Sequence, residues 1–328
     1  MREYDRMANS DVAGRQGLLE ILSWARPHDS AVERAFCREY LDPVPGMISD
    51  GFGNRIVTIG TRPRVLWSCH IDTVAARGRQ QDVKIDAHGI VSLCKGKPGM
   101  SLGADDGAGL WIMLNMIAAG RPGLYVFHRG EERGCLGSRW IRRNTPGLLR
   151  DIDAAIAFDR AGREDVITHQ SYGRTCSDAF AISLAGALNR LNPNFRYAPD
   201  DSGVFTDTNE YADLVPECTN LSVGYRGQHG PTETLDIRHC EKLLAAMLRL
   251  DPARLVIERD PTIREAENWG YYDRARSDLG NFADAVADHP LLAARMLEEC
   301  GVAYEDFQLM AWDEDMDDSS GYRPLAAS

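Results

Sequence analysis

The sequence predicts an α/β fold with a mixed, mostly parallel central sheet sandwiched by helices. Three observations carry this. Short, mainly apolar runs recur at residues 64–69 (RVLWSC), 124–128 (LYVFH) and 154–158 (AAIAF), and a further strand is expected at 219–223 (TNLSV). Such runs mark strands covered on both faces, as in parallel sheets. Segments of helical period lie between them. The 328 residues are 44% apolar and 26% charged, which excludes a disordered, collagen-like or coiled-coil chain. A chain of this length can bury a core without disulfides or a structural metal.

Taken in order, residues 15–42 hold two helical patterns broken at Pro27. One has Leu18, Leu19, Ile21 and Leu22 on its apolar face, the other Val32, Ala35, Phe36 and Tyr40. Residues 51–54 (GFGN) turn into a strand at 55–59, and the buried strand at 64–69 follows. Residues 83–85 and 90–93 flank Asp86-Ala87-His88-Gly89 as a hairpin. Residues 110–119 are apolar nearly all round, which suits a helix inside a large domain. After the strand at 124–128 come a helix at 137–143, the strand at 154–158, the strand at 219–223 and a helix at 237–250.

The organisation expected is a catalytic domain over 15–257 and an acidic extension over 258–328. The net charge is −12, and residues 258–328 hold 17 acidic against six basic residues. The body is therefore near neutral and lacks the basic stripe of a nucleic-acid binder. The extension carries an amphipathic pattern at 282–299 and ends in a charge run, expected to be solvated or to contact a protein partner. No stretch of 18 apolar residues exists, so no membrane span is expected. The first 14 residues lack an apolar secretory region, and the eight cysteines form no CxxC pair. The expectation is a cytoplasmic chain with reduced thiols.

Five features carry chemistry, four of them at the C-terminal ends of expected strands, where open α/β sheets bind ligands. They are His70-Ile71-Asp72, Asp105-Asp106 within GADDGAG, Glu131-Glu132, Asp159, and His229. Each alone has a bland reading: a loop histidine, acids capping a helix, a surface turn balanced by Arg129 and Arg133, a strand-tip charge. Together, two histidines and several carboxylates in this order form a ligand set for two divalent ions. Nitrogen and oxygen donors without thiolate suit zinc, with manganese or cobalt possible.

The order HxD, GADDxxG, EE, D, H resembles the co-catalytic dinuclear zinc peptidases, a superfamily of zinc aminopeptidases, tripeptidase-like enzymes and deacylases. The stretch Leu102–Gly109 resembles the bridging-aspartate motif of the tripeptidase and aminopeptidase branches. Residues 220–225 (NLSVGY) leading to His229 resemble the final-ligand motif. The resemblance covers roughly residues 15–250. It implies that His70 and Asp159 bind one metal, Glu132 and His229 the other, and that Asp106 bridges both. It also implies that Asp72 orients His70 and that Glu131 is the general base activating the bridging water. Tyr225, near His229, is a candidate donor to the tetrahedral oxyanion; a core tyrosine would need no such role.

Two departures stand out. Gly107 follows the second aspartate where relatives often carry Asn or Lys. Only 69 residues separate Asp159 from His229, and these must also build core elements, so no lid domain is expected. The function implied is hydrolysis of peptide or amide bonds, foremost by an aminopeptidase-type exopeptidase acting on free N-termini. An N-acyl amidohydrolase or a carboxypeptidase would use the same metal chemistry, and a non-catalytic binding protein would be expected to have lost a ligand or the base. Asp207, Arg160 and His128 lie near these motifs, each with a structural alternative. Cys69 and Cys135 read as packing residues.

Overall fold

The computed structural model describes residues 14–170 and 173–263. Its main strands, in chain order, are β1 (Ile48–Ser49), β2 (Arg55–Ile59), β3 (Val65–His70), β4 (Val83–Ile85), β5 (Ile90–Leu93), β6 (Gly123–His128), β7 (Ala154–Arg160), β8 (Asp165–Ile167), β9 (Ala198–Asp200), β10 (Glu217–Ser222), β11 (Tyr225–Arg226) and β12 (Thr234–Asp236). The α-helices are α1 (Gly14–Leu22), α2 (Ala31–Phe36), α3 (Ala104–Ala118), α4 (Leu136–Asn144), α5 (Asp178–Leu191) and α6 (Ile237–Met247).

Eight strands form one mixed sheet in the order β9-β8-β10-β7-β3-β6-β2-β1. The central four, β10-β7-β3-β6, are parallel to one another. Their carboxyl ends therefore lie along one edge, with His70 directly opposite His128 in the register. The sheet is sandwiched as expected. On β3, Val65, Trp67 and Cys69 join the core shared with α1, α3, α5 and α6, whereas Leu66 faces the smaller core with Ile141 of α4 and Tyr211. Tyr125 and Phe127 against Leu124 and Val126 repeat the alternation on β6. A period of two with both faces apolar is what makes these strands read as continuous apolar runs.

Helix α3 is buried along nearly its whole length and packs on α1, α6, β3 and β7. It has no polar face because no side of it meets water. The hairpin of β4 and β5 forms as expected, and with β12 and β11 it makes a second, four-stranded sheet. Residues between Asp159 and His229 are spent on β8, β9, β10 and α5, all part of the main layers. Core strands and a helix are expected between Asp159 and His229, but the sequence assigns no positions to helix α5 or strand β8. Ser177 caps α5 by accepting the Phe180 N–H, a start signal available in the sequence.

Among the described residues, no helix is long and apolar enough to cross a membrane. The expected helix at 282–299 and the acidic run beyond it lie outside the described residues. Glu258 and Arg259 still donate their backbone N–H groups to the buried carboxylate of Glu217.

Candidate metal centre

The carboxyl edge of the parallel strands brings together seven of the side chains named from the sequence. His70 ends β3, Asp159 sits near the end of β7, and Glu131 and Glu132 follow β6 in a short 3-10 turn. His229 lies in the loop after β11, in a left-handed backbone conformation (φ 62°) and half-exposed. Among the described residues, three groups, each with ligand atoms within 4.8 Å of one another, could hold an ion: His70-Glu131-Glu132, His70-Asp106-Asp159 and Asp105-Glu132-His229.

Asp105 is the residue that touches both histidines. Its Oδ1 is 2.9 Å from His70 Nε2 and its Oδ2 is 3.1 Å from His229 Nε2. Asp106 faces the other way. Its Oδ2 accepts the His70 backbone N–H at 3.2 Å and its Oδ1 the Gly109 N–H at 2.8 Å. The family resemblance implies Asp106 as the bridging carboxylate; in the structure it is Asp105 that lies between the two histidines. The reason is local. Both aspartates have non-helical backbone angles at the head of α3, so neighbouring side chains diverge. The peptide bond between them is cis. A Cβ at position 109 would collide with the Asp106 carboxylate, so glycine is required for that close approach.

The remaining neighbours complete the frame. His70 Nδ1 pairs with the backbone carbonyl of Asp72 at 2.9 Å, while the Asp72 carboxylate is 3.9 Å away. That carboxylate accepts the N–H groups of Gly130 (2.7 Å), Glu131 (3.2 Å) and Glu132 (3.2 Å). Asp72 thus meets His70 most closely through its main chain and grips the turn carrying both glutamates through its side chain. Glu132 Oε2 lies 3.1 Å from His229 Nε2. Its Oε1 is buried without a hydrogen-bond partner. Glu131 Oε2 and Asp159 Oδ1 lie 3.9 and 3.5 Å from His70 Nε2. Tyr225 is buried, and its hydroxyl donates to the Asp159 carbonyl at 3.2 Å, with Asp159 Oδ1 at 3.4 Å.

Several residues that hold the site carry no motif. Thr206 donates its hydroxyl to Asp159 Oδ2 at 2.8 Å. Asn220 pairs with the Asp159 backbone in both directions. Glu233 accepts three backbone N–H groups at the head of α3. The wholly buried Arg26 donates to the carbonyls of Ile71, Ile21 and Trp24 and stacks on Phe36. Burial lowers its pKa to about 10, opposed by Asp106 and Asp72. Asp207 is buried against the Ser138 hydroxyl (2.6 Å) and His128 Nδ1 (3.3 Å). His128 in turn meets the Tyr211 hydroxyl and packs in the interior. Arg160 pairs with Asp165 and Ser202 and not with Asp159. Cys69 and Cys135 are buried.

The electrostatics are those of crowded carboxylates. Burial raises Glu131 well above the usual range, and raises Glu132 to about 7 and Asp159 to about 6, with Asp105 adding to both of the latter. Burial also opposes ionisation of Asp105, but hydrogen bonds from His229 and His70 outweigh it and hold its carboxyl below the usual range. His229 is raised to about 10 by its bonds to Asp105 and Glu132. His70 is raised despite burial, because Asp159, Asp105 and Glu131 surround it. Five carboxylates and two imidazoles converging in one largely buried cluster, with an orphaned glutamate oxygen, are a donor set that cations would complete.

The profile of Peptidase family M28 matches residues 54–215, a span that includes every candidate ligand except His229. A tripeptidase from Staphylococcus aureus superimposes with a TM-score of 0.58 at 15% identity, over 75% of this chain and 96% of its own. An aminopeptidase from Bacillus cereus does so with a TM-score of 0.55 at 14% identity, over 75% of this chain and 96% of its own. These likenesses are of fold. No curated protein sequence matches the chain.

Proposed function

We propose that this chain is a metallopeptidase of the co-catalytic zinc peptidase superfamily, an aminopeptidase-type exopeptidase carrying two metal ions. The observation that carries the reading is the position of Asp105 between His70 and His229, 2.9 and 3.1 Å from their Nε2 atoms.

In this reading His70 and Asp159 would hold one ion, Glu132 and His229 the other, and Asp105 would serve both. The nitrogen and oxygen donor set favours zinc. Two such ions, when bound, supply Lewis-acid polarisation of the scissile carbonyl and ease deprotonation of water. The chain's own groups do the rest. Glu131 takes a proton from the attacking water and delivers it to the leaving amine. The Asp72 side chain keeps Glu131 and Glu132 in place through their backbone N–H groups. Burial raises the Tyr225 hydroxyl well above its usual pKa, so it remains a donor, first to Asp159 and then to the developing oxyanion.

Two further features favour an exopeptidase acting on free N-termini. His229 is half-exposed, which leaves the centre open on its side. The segment between Asp159 and His229 feeds the main sheet, leaving the approach to the strand ends uncovered by an inserted domain among the described residues. A cytoplasmic setting is part of the proposal, supported by seven free cysteines among the described residues.

The test is a mixed peptide library with free, N-acetylated and C-amidated members, read by mass spectrometry with zinc-loaded protein and a Glu131→Gln control. Stepwise loss of N-terminal residues from free and amidated peptides only, absent in the control, is expected. Cuts confined to acyl groups or to C-termini would replace the aminopeptidase reading with a deacylase or carboxypeptidase.

A further inference from the structure

Three backbone N–H groups at the head of α3 are satisfied by one side chain from far along the sequence. Glu233 Oε2 accepts from Gly103 at 2.9 Å, and its Oε1 accepts from Ala104 at 2.8 Å and Asp105 at 3.0 Å. The first turn of a helix leaves such donors without intrahelical partners, and they are ordinarily met by a local cap. Gly103 has no side chain to offer, and its left-handed φ of 70° with Thr73 packed against it leaves no room for one. The cap comes instead from a carboxylate that is itself 1% exposed.

Its placement gives the contact a consequence. Glu233 stands four residues after His229, and its N–H closes a turn onto the Gly230 carbonyl. The chain then enters β12, whose Thr234 lies opposite Ser92 of β5. The strut therefore has a firm base in the second sheet. One end carries His229; the other grips the turn that presents Asp105. These are the two residues whose side chains meet at 3.1 Å.

We propose that Glu233 is a positioning residue of the metal centre, clamping the Gly103–Asp105 turn to the His229 loop so that Asp105 and His229 share one ion in fixed register. The inference rests on the two-metal reading above and adds to it a group that touches neither metal nor substrate. Groups that orient ligands in this way typically change metal affinity or activity 10–100-fold when removed.

The experiment compares the full-length wild-type chain with Glu233→Ala, Glu233→Gln and Glu217→Gln, measuring zinc affinity by chelator competition, kcat and KM on a free peptide, and Tm. Glu217 is the control, a buried carboxylate that binds Ser177 and the 258–259 backbone away from the centre. Expected is a zinc Kd about 10–100-fold weaker in Glu233→Ala, with loss in kcat exceeding change in KM. Glu233→Gln should fall between, because its amide oxygen still accepts from Ala104 and Asp105 while its NH2 faces the Gly103 N–H. Glu217→Gln should lower Tm and leave zinc affinity within about twofold of wild type. The inference is overturned if the Glu233 variants lose Tm like the control yet keep wild-type zinc affinity and kcat. If Glu233→Ala does not fold, Glu233→Gln decides by the same comparison. Failure of the wild-type chain to bind zinc would overturn the two-metal reading and this inference with it; wild-type binding with unaffected variants overturns this inference alone.

Discussion

Asp105 and His70 meet at 2.9 Å through Oδ1 and Nε2, although they are 35 residues apart and arrive on different elements. The neighbouring Asp106 spends both oxygens on backbone N–H groups. The two aspartates should therefore fail differently. Asp105→Asn should abolish activity and reduce bound zinc below two per chain while folding is retained. Asp106→Asn should keep the zinc count but lower stability by about 1–3 kcal/mol, because its amide would face a backbone donor. Metal analysis alongside thermal unfolding separates the two, and the reverse assignment would be evident at once.

Glu131 is read as the base, and Glu132 as a ligand beside it. Glu131→Gln should lower kcat about 10²–10⁴-fold and leave zinc stoichiometry unchanged. Glu132→Gln should instead weaken zinc binding. Equal loss of metal in both variants would remove the distinction.

Thr206 holds Oδ2 of Asp159, leaving Oδ1 toward His70. Thr206→Val preserves the shape and removes the donor. Zinc affinity should weaken about 10-fold or more, with Tm changed by only a few degrees. Thr206→Ser should restore the affinity, since the hydroxyl returns; failure of that rescue would assign the threonine to packing.

The charge pattern predicts how the metal-free protein responds to pH. His229 is raised to about 10 and His70 is raised as well. A folded state that binds these protons more tightly than the unfolded chain gains stability that is complete below the unfolded value near 6.5 and disappears toward the folded value. The raised carboxyls of Glu132 and Asp159, at about 7 and 6, have the same sign but lose most of their contribution below neutrality. His128 and His239 are lowered to about 3 and 4 and act oppositely, but only below 6.5. The Tm of the metal-free chain should thus fall between pH 6.5 and 9. His229→Gln should flatten that slope, and saturating zinc should flatten or invert it, since zinc binds the deprotonated ligands. A metal-free Tm that rises over this range would contradict the assignment.

Much of the architecture is written in the sequence because its strands are covered on both faces. Trp67 and Leu66 both had to be apolar, one for each core, so the run reads as a strand without structural knowledge. The clustering of the candidate residues is legible for a related reason. Residues at the ends of parallel strands converge whatever the loops do, which brings His70, Asp159 and Glu131 to one edge. Which of Asp105 and Asp106 turns its carboxylate toward both histidines was not legible. Two identical neighbours differ only in the backbone turn that aims them, and nothing local in GADDG encodes that turn. Thr206, Asn220, Glu233 and Arg26 were hidden because they act through backbone groups or through one distant partner, and such pairings have no fixed spacing. Helix α5 escaped for a simpler reason: its start at Ser177 was available, but its small residues made its apolar face faint.

The most direct measurement is a crystal structure of the zinc-soaked protein with anomalous data collected at the zinc edge. The account predicts two peaks about 3.5–4 Å apart, one beside His70 and Asp159, the other beside Glu132 and His229, with the Asp105 carboxylate between them. A single peak, or a pair flanking Asp106 with Asp105 turned away, would contradict it.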